Sequence, residues 1–231
     1  AQHPFDHGNL DGRDERLLPR PLVDSEVRTE LAIYYALITD IDAQIGRILK
    51  AIEERGMGGD TVIIFTTDQG LAMGSHGLLG KQNQYEHTAR VPLILAGPGV
   101  PPGRRIDALC QLRDLFPTAC ELAGIAVPST VQAASLAPLL RGEKASGRDD
   151  VFGYFTDTQR MICDRRWKLI VYPKAKRVQL FDLPEDPDEL RDRGGDPGTA
   201  EVRSAMASRL RDWLKANGDA EWESVGGWAG R

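Results

Sequence analysis

The pattern that most constrains this chain is a long apolar stripe between Ser25 and Gly56. Apolar residues recur there at intervals of three and four, the spacing of one face of an α-helix. Ser25 is a candidate amino-terminal cap, and the glycines from Gly56 onward end the helix. A helix with so continuous an apolar face needs a large surface to pack against. The stripe consists of Tyr34, Leu37, Ile38, Ile41, Ile45, Leu49 and Ile52.

Two short apolar runs follow this helix. The β-branched run at residues 61–67 is typical of a strand buried on both faces of a parallel sheet. A second run at 91–95 predicts another parallel strand, and a short helix is predicted after Asp114. Helices alternating with buried strands as far as about residue 140 indicate an α/β layer.

The pattern changes after a polar, glycine-containing linker at 142–148. Four short strands separated by a few residues each predict an antiparallel meander, and an amphipathic helix is expected at 202–214. We therefore predict two parts, an α/β domain at 1–141 and an α+β subdomain with a four-stranded antiparallel sheet at 149–231. The predicted strands are 151–155, 159–163, 167–172 and 178–182.

Composition excludes several classes of partner. The net charge of −5 and the lack of a Lys/Arg block argue against nucleic-acid binding. No apolar run approaches the ~20 residues that span a bilayer, and residues 1–21 do not have the pattern of a signal peptide. The three cysteines, Cys110, Cys120 and Cys163, form neither a disulfide framework nor a metal-ligand spacing. They leave the compartment open.

Polar residues follow the first predicted strand. Asp68 and Gln69 would face the crevice beyond the strand ends, and both offer the hard oxygen donors that calcium or magnesium takes. The alternative is a simple strand-ending turn. His76 and Lys81 lie in the next, glycine-rich turns, where a backbone can approach an anion closely and a lysine suits a sulfate or phosphate oxygen. The alternative for these two is ordinary solvated loop residues.

Taken together, residues 65–103 resemble the metal- and sulfate-binding segment of type I sulfatases. The resemblance rests on the order and spacing of several short motifs, which are far more specific than any one of them. It continues into the long helix and into the carboxyl-terminal strands, so it covers essentially the whole chain. The motifs are Thr67-Asp68-Gln69-Gly70, Gly74-Ser75-His76-Gly77, Gly80-Lys81, Tyr85-Glu86, Arg90-Val91-Pro92 and Gly97-Pro98-Gly99.

The resemblance implies an alkaline phosphatase-like fold and a set of roles. Asp68 and Gln69 would be ligands of one calcium ion, with magnesium possible. Lys81 would hold a sulfate oxygen, and His76 would lie at the mouth of the pocket near the substrate or the leaving oxygen. An amide oxygen at Gln69 suits calcium, whereas phosphatase relatives that use zinc or manganese commonly place a histidine there.

The chain also departs from the family pattern. The family nucleophile is a formylglycine made from the first residue of Cys/Ser-x-Pro-x-Arg, and none of the three cysteines lies in that motif. The family's first pair of metal-binding aspartates has no counterpart either, so 1–141 would be a partial catalytic domain. Gln2 takes the place of a general-acid histidine. His3 falls beside it and would substitute only with a shifted register; a turn around Pro4 is the other interpretation.

We therefore expect part of a sulfuric ester hydrolase whose isolated chain is inactive. The alternatives are a phosphodiesterase or phosphonate monoester hydrolase of the same superfamily and a non-catalytic module that binds anions or glycans. The expected partners are a sulfated small molecule or glycan and the missing amino-terminal half of the enzyme, with an oligomer possible. Family members are often exported, which favours a periplasmic or extracellular location.

Overall fold

A computed structural model of the chain describes residues 2–221, 223 and 225–229. Its helices and strands alternate in the first part of the chain, and four strands and a helix follow. In chain order these are α1 (Asp24–Glu54), β1 (Ile63–Thr66), α2 (Glu86–Ala89), β2 (Leu93–Ala96), α3 (Leu115–Leu122), α4 (Ala137–Arg141), β3 (Val151–Phe155), β4 (Gln159–Cys163), β5 (Trp167–Tyr172), β6 (Arg177–Asp182) and α5 (Ala200–Ala216).

Contacts between residues divide the chain into two compact units. One comprises residues 1–23, 69–91 and 149–231, and the other comprises 24–68 and 92–148. Two segments from the first part of the chain therefore group with the carboxyl-terminal strands. The functional division into a partial catalytic domain at 1–141 and a subdomain at 149–231 stays a prediction.

The unit that contains β3 to β6 has the predicted antiparallel meander as its centre. The strands lie in the order β3-β4-β5-β6, and every neighbouring pair is antiparallel. The predicted closing helix is α5, which packs one apolar face on the sheet. Burying each such side chain contributes roughly 1.5–3 kcal/mol. The core of this layer includes Ile162, Leu169, Val171, Leu180, Met206, Leu210 and Leu214.

The opposite face of the same sheet holds the loop segment 69–91. Successive residues of a strand point to opposite faces, so Met161, Ile170 and Phe181 face away from α5. They pack with Leu78 and Tyr85 of the loop segment, both almost fully buried. This layer anchors the segment that carries three of the four candidate site residues.

The other unit contains a two-stranded sheet whose direction differs from the prediction. Strands β1 and β2 pair antiparallel, with Ile63 opposite Ala96 and Thr66 opposite Leu93. The parallel arrangement predicted for the runs at 61–67 and 91–95 is therefore wrong. Burial is also less than predicted, since Phe65 is 39% and Ile94 59% exposed. A run of apolar residues indicates a strand and its burial, but it carries no information on the direction of its neighbour.

The predicted long helix is α1, and Ser25 is its second residue rather than its cap. No residue of α1 is buried, although its stripe is apolar. None of the helices among the described residues has both the length and the apolar character needed to cross a membrane. The large apolar residues of α1 that stand exposed are Ile33, Tyr35, Leu37, Ile38, Ile41, Ile48 and Leu49.

Candidate functional site

The two candidate metal ligands lie just after β1. Asp68 is exposed and its Oδ1 accepts a hydrogen bond from the Thr67 hydroxyl at 3.3 Å, while Gln69 is half-buried. Their carboxylate and amide oxygens are donors of the kind that calcium and magnesium prefer. Within the described residues, no group of three or more His, Cys, Asp or Glu side chains could hold a metal ion. The donor types fit calcium, and the two residues would be part of a larger ligand set.

Residues 72–80 form a closed loop between Gln69 and Lys81. The Ala72 amide donates to the Gly80 carbonyl at 3.0 Å, and the Gly74 amide donates to the Leu78 carbonyl at 2.7 Å. Leu78 and Leu79 are buried at the base of this loop. Backbone pairing and apolar burial together fix the shape of the segment.

The buried carboxylate of Glu15 binds the backbone of this loop and, together with Arg20, forms a clamp. Glu15 is 3% exposed and accepts hydrogen bonds from the Leu79 and Gly80 amides at 2.9 and 2.8 Å. Arg20 donates to Glu15 at 2.6 Å and to the Gly77 carbonyl at 2.8 Å. Removing one partner from a buried pair of this kind typically costs 3–5 kcal/mol. The clamp therefore holds the chain rigidly up to Lys81.

The glycines of the loop allow this clamp to form. A Cβ added at Gly77, where φ is +69°, would lie 2.6 Å from the backbone of Gln2, and one at Gly80 would lie 2.7 Å from the Cβ of Asp14. The sequence pattern suggested that these glycines let the backbone approach an anion. In the structure they allow close contact with residues 2 and 14 of the same chain.

Lys81 lies at the partly exposed end of the loop. Its Nζ is 3.8 Å from Oδ2 of Asp14, and 34% of its side chain is exposed. Asp14 also accepts hydrogen bonds from Arg13 and Gln82, and the hydrogen bond from Arg13 is the main cause of its lowered pKa. An ion pair this open to water contributes only ~0–1 kcal/mol. Lys81 can therefore exchange Asp14 for another anion at little cost.

His76 lies flat on the ring of Tyr85. The ring centroids are 3.9 Å apart, and the ring planes differ by 4°. The His76 backbone is left-handed, with φ at 54°, a conformation that costs a non-glycine residue roughly 1–2 kcal/mol. Burial lowers its pKa, and a hydrogen bond from its ring to the Asp188 backbone opposes that effect. The imidazole is held neutral in one orientation.

A cleft of about 480 Å³ opens beside His76. Lys81 is not among the described residues that line it, so the structure does not bring His76 and Lys81 together in this cleft. Seven of the nine lining residues are polar or charged. The lining residues are Ser75, His76, Glu86, His87, Arg90, Pro187, Asp188, Glu189 and Leu190.

His3, which follows the residue at the family's general-acid position (Gln2), is buried. His3 is 7% exposed; its Nδ1 hydrogen-bonds to the Phe5 carbonyl at 2.7 Å and its Nε2 to the Tyr85 hydroxyl at 2.9 Å. Burial lowers its pKa. Because both ring nitrogens have partners inside the protein, His3 serves as a structural link between residue 5 and Tyr85 in this conformation. The fold therefore gives no support to the shifted register in which His3 replaces the acid.

Sequence reasoning missed a buried cluster of charges beside the cleft. Lys168 of β5 is fully buried, and its Nζ lies 2.6 Å from Glu86, 2.9 Å from Glu189 and 3.1 Å from the Gln84 carbonyl oxygen. Burial opposes the charge of Lys168, but the two carboxylates outweigh it and raise its pKa. A lysine at the second position of the otherwise apolar run Trp167–Tyr172 was the signal in the sequence.

Comparison with known proteins places the chain in a family. Residues 7–125 match the sulfatase family, and residues 74–216 match the family described as N-sulphoglucosamine sulphohydrolase, C-terminal. The fold is that of the alkaline phosphatase-like hydrolases. The chain belongs to the sulfatase family within that class.

Two curated relatives give the scale of the similarity. Arylsulfatase K of Xenopus laevis is 32% identical over 210 residues, covering 84% of this chain and 39% of the relative. The Delta 4,5-hexuronate-2-O-sulfatase of Bacteroides thetaiotaomicron is 30% identical over 208 residues, covering 85% of this chain and 43% of the relative. The chain thus spans about two fifths of the length of these relatives.

Solved structures agree in fold. One was solved in complex with its substrate D-glucosamine-2-N,6-O-disulfate; it has a TM-score of 0.73 and 28% identity over 80% of this chain and 40% of its own. The phosphonate monoester hydrolase of Agrobacterium radiobacter also has a TM-score of 0.73, with 32% identity over 83% of this chain and 42% of its own. These similarities confirm the α/β fold class and the family expected from the motifs.

Proposed function

We propose that this chain is part of a sulfuric ester hydrolase, a sulfatase that cleaves a sulfate ester at a calcium site. The match to the sulfatase family covers residues 7–125, which include all four candidate residues, and both curated relatives described above are sulfatases. The observation that carries the proposal is the clamped loop, which ends in a partly exposed lysine suited to a sulfate oxygen.

Asp68 and Gln69 would hold the metal ion, with calcium preferred and magnesium possible. Their oxygens suit either ion, and the amide of Gln69 suits calcium better than zinc or manganese. When bound, the ion would polarise the sulfate oxygens and offset their charge. Calcium takes six to eight oxygen ligands, so two residues leave most positions to other groups. We assign those positions to the amino-terminal half of the enzyme, which would be the partner of this chain.

Lys81 would bind a sulfate oxygen and stabilise negative charge as the ester bond breaks. For this it must leave Asp14, a change that the weakness of the ion pair permits. His76 would contact the substrate or the leaving oxygen. As a neutral imidazole whose one N–H bonds to the Asp188 backbone, it could accept a hydrogen bond there with its other ring nitrogen. The nucleophile of this family, a formylglycine, would supply the attack on sulfur and would come from a segment other than these 231 residues.

The substrate class that we propose is a sulfated small molecule or glycan. Support comes from the hexuronate-2-O-sulfatase relative and from the neighbour solved with a disulfated glucosamine. The cleft beside His76 offers hydrogen-bonding side chains of both charges, which suits a polar alcohol better than an apolar one.

A second candidate is a phosphonate monoester hydrolase or phosphodiesterase. The solved phosphonate monoester hydrolase is as identical to this chain as the arylsulfatase relative, at 32%. Both chemistries place an anionic tetrahedral group near a cation, so Lys81 does not discriminate between them. Preference for one group over the other has to be measured.

The experiment uses the protein assembled from this chain and the segment that carries the Cys/Ser-x-Pro-x-Arg nucleophile. Initial rates are compared on nitrophenyl sulfate, bis-nitrophenyl phosphate and nitrophenyl phenylphosphonate, for the native sequence and for Lys81→Ala. The matched control is Lys50→Ala, because Lys50 is an exposed lysine in a surface ion pair with Glu54.

A sulfatase would turn over the sulfate ester fastest, lose most of that rate in Lys81→Ala and keep it in Lys50→Ala. Faster hydrolysis of the phosphorus esters would favour the second candidate. Sulfate binding without turnover of any ester would indicate a non-catalytic module and would contradict the proposal.

A further inference from the structure

Lys168 contacts the residues on both sides of Tyr85, Gln84 and Glu86. Its Nζ lies 3.1 Å from the Gln84 carbonyl oxygen and 2.6 Å from a carboxylate oxygen of Glu86. Tyr85 is the residue between these two, and its ring is 1% exposed. One buried ammonium group therefore contacts both chain neighbours of Tyr85, while the Tyr85 hydroxyl is held by His3 and Gln179.

The third contact of Lys168 is with Glu189, which also lines the cleft. One carboxylate oxygen of Glu189 lies 2.9 Å from the Lys168 Nζ. The other accepts a hydrogen bond from the Glu86 amide at 2.6 Å. Glu189 is 2% exposed and has a left-handed backbone, with φ at 55°. Its preceding residue, Asp188, provides the backbone group that hydrogen-bonds to the His76 ring.

Two contacts restrain His76, and each is made by a residue that adjoins a partner of Lys168 in the sequence: Tyr85 adjoins Glu86, and Asp188 adjoins Glu189. The first is the Tyr85 ring, on which the imidazole lies at 3.9 Å. The second is the Asp188 backbone. His76 cannot hold this orientation by its own backbone preference, since left-handed dihedral angles are unfavourable for it. The surroundings must impose the orientation, and the buried charges around Lys168 are the element common to both restraints.

We propose that Lys168 is a positioning residue for His76, which it holds in the cleft by two routes, one through Tyr85 and the other through Glu189 and Asp188. The role in catalysis rests on the proposed function of His76 toward the substrate. The effect of Lys168 on the position of the His76 ring does not depend on that function, so it can be tested on the 231-residue chain alone.

The test is Lys168→Met, which keeps the length of the side chain and removes its charge. The ring signals of His76 are recorded by proton–carbon NMR and assigned with His76→Gln. In the native chain the stacked Tyr85 ring is expected to shift these signals upfield. Lys168→Met is expected to abolish that shift while the signals of His7, which contacts Gln159 and Tyr172, stay in place.

The matched control is Lys174→Met. Lys174 belongs to the same unit, but it forms an exposed ion pair with Asp157 in which both side chains are 57% exposed. This variant is expected to leave the His76 signals unchanged. Unchanged His76 signals in a folded Lys168→Met chain would overturn the proposal.

A second variant covers the case in which Lys168→Met does not fold. Lys168→Met/Glu189→Gln keeps the net charge of the three groups at its native value. The one carboxylate that loses Lys168 is then that of Glu86, which is partly exposed and also lies 3.8 Å from Arg90. The double variant is expected to lose the His76 ring shift as well, and retention of the shift there would again overturn the proposal.

The activity of the assembled protein tests separately whether Lys168 positions His76 and whether His76 contacts the substrate. If His76 contacts substrate, Lys168→Met lowers kcat/KM on the sulfate ester and leaves the calcium requirement as it is. A lost ring shift with unchanged kcat/KM would keep Lys168 as a positioning residue and reject the role of His76 toward substrate.

Discussion

The ammonium group of Lys81 lies 3.8 Å from a carboxylate oxygen of Asp14. The candidate sulfate-binding lysine is thus paired with an acidic side chain of its own chain. About a third of the lysine side chain is exposed, so water and salt weaken the pair. A sulfate group that binds Lys81 has to compete with Asp14.

Replacing Asp14 therefore strengthens anion binding. We expect Asp14→Asn to raise the affinity of the chain for inorganic sulfate by up to about fivefold, the equivalent of the ~1 kcal/mol that such a pair contributes. Calorimetric titration at low ionic strength measures it. Asp11→Asn makes the same change in net charge at an exposed position three residues away and is the control. Equal effects of the two variants would show that general charge, and not the pair with Lys81, controls sulfate binding.

Two histidines, the buried His7 and the half-buried His87, make the chain sensitive to acid. Burial lowers the pKa of His7 to about 4 and that of His87 to about 3, and the Nε2 atom of each is buried without a hydrogen-bond partner. An unfolded histidine takes up a proton near pH 6.5, whereas these two resist it in the fold. The unfolded state thus binds more protons as the pH falls from about 6.5 toward 3, and the free energy of unfolding falls with it.

We expect a loss of ~1–2 kcal/mol per histidine between pH 7 and pH 5, read from urea unfolding midpoints. The double variant His7→Gln/His87→Gln removes both groups and is expected to flatten this part of the pH profile. A native chain whose midpoint stays constant from pH 7 to pH 5 would contradict the account of these histidines.

The apolar face of α1 is expected to bind hydrophobic dye or to drive association of the isolated chain. Leu37 and Ile41 are 57% and 55% exposed and lie one turn apart. Leu37→Gln/Ile41→Gln should reduce dye binding and association, with a change in unfolding free energy within about 0.5 kcal/mol. The control is Leu190→Gln, because Leu190 is 74% exposed but lies outside this face. An unmodified chain that is monomeric and binds no dye would show that our interpretation of the face is wrong.

Local patterns predicted the elements well, and long-range pairing poorly. The strand and helix periods located β3 to β6, α1 and α5, because each depends on residues close in sequence. The direction of β1 against β2 depends on how the intervening loop folds, and no local pattern encodes it. The same holds for Lys168, whose partners Glu86 and Glu189 are 82 residues before it and 21 residues after it. Motif spacing predicted Asp68, Gln69, His76 and Lys81 as site residues, whereas the pair of Lys81 with Asp14 required the fold.

Calcium should bind weakly to the isolated chain. Asp68 and Gln69 supply at most about three oxygens, whereas calcium takes six to eight. We expect a dissociation constant above roughly micromolar, the range of calcium sensors. The isolated chain should also fail to hydrolyse nitrophenyl sulfate. Tighter calcium binding that Asp68→Ala abolishes would reveal ligands beyond these two, and turnover that Lys81→Ala abolishes would contradict the need for a separate nucleophile.

The central claim is that Asp68 belongs to a calcium site at which a sulfate ester is hydrolysed. The measurement is the rate of nitrophenyl sulfate hydrolysis by the assembled protein after chelation and during stepwise return of calcium. Our account predicts that the rate falls on chelation, recovers with calcium and is lost in Asp68→Ala, while Asp60→Ala, which changes another exposed aspartate, leaves it intact. A rate that neither chelation nor Asp68→Ala lowers would contradict it.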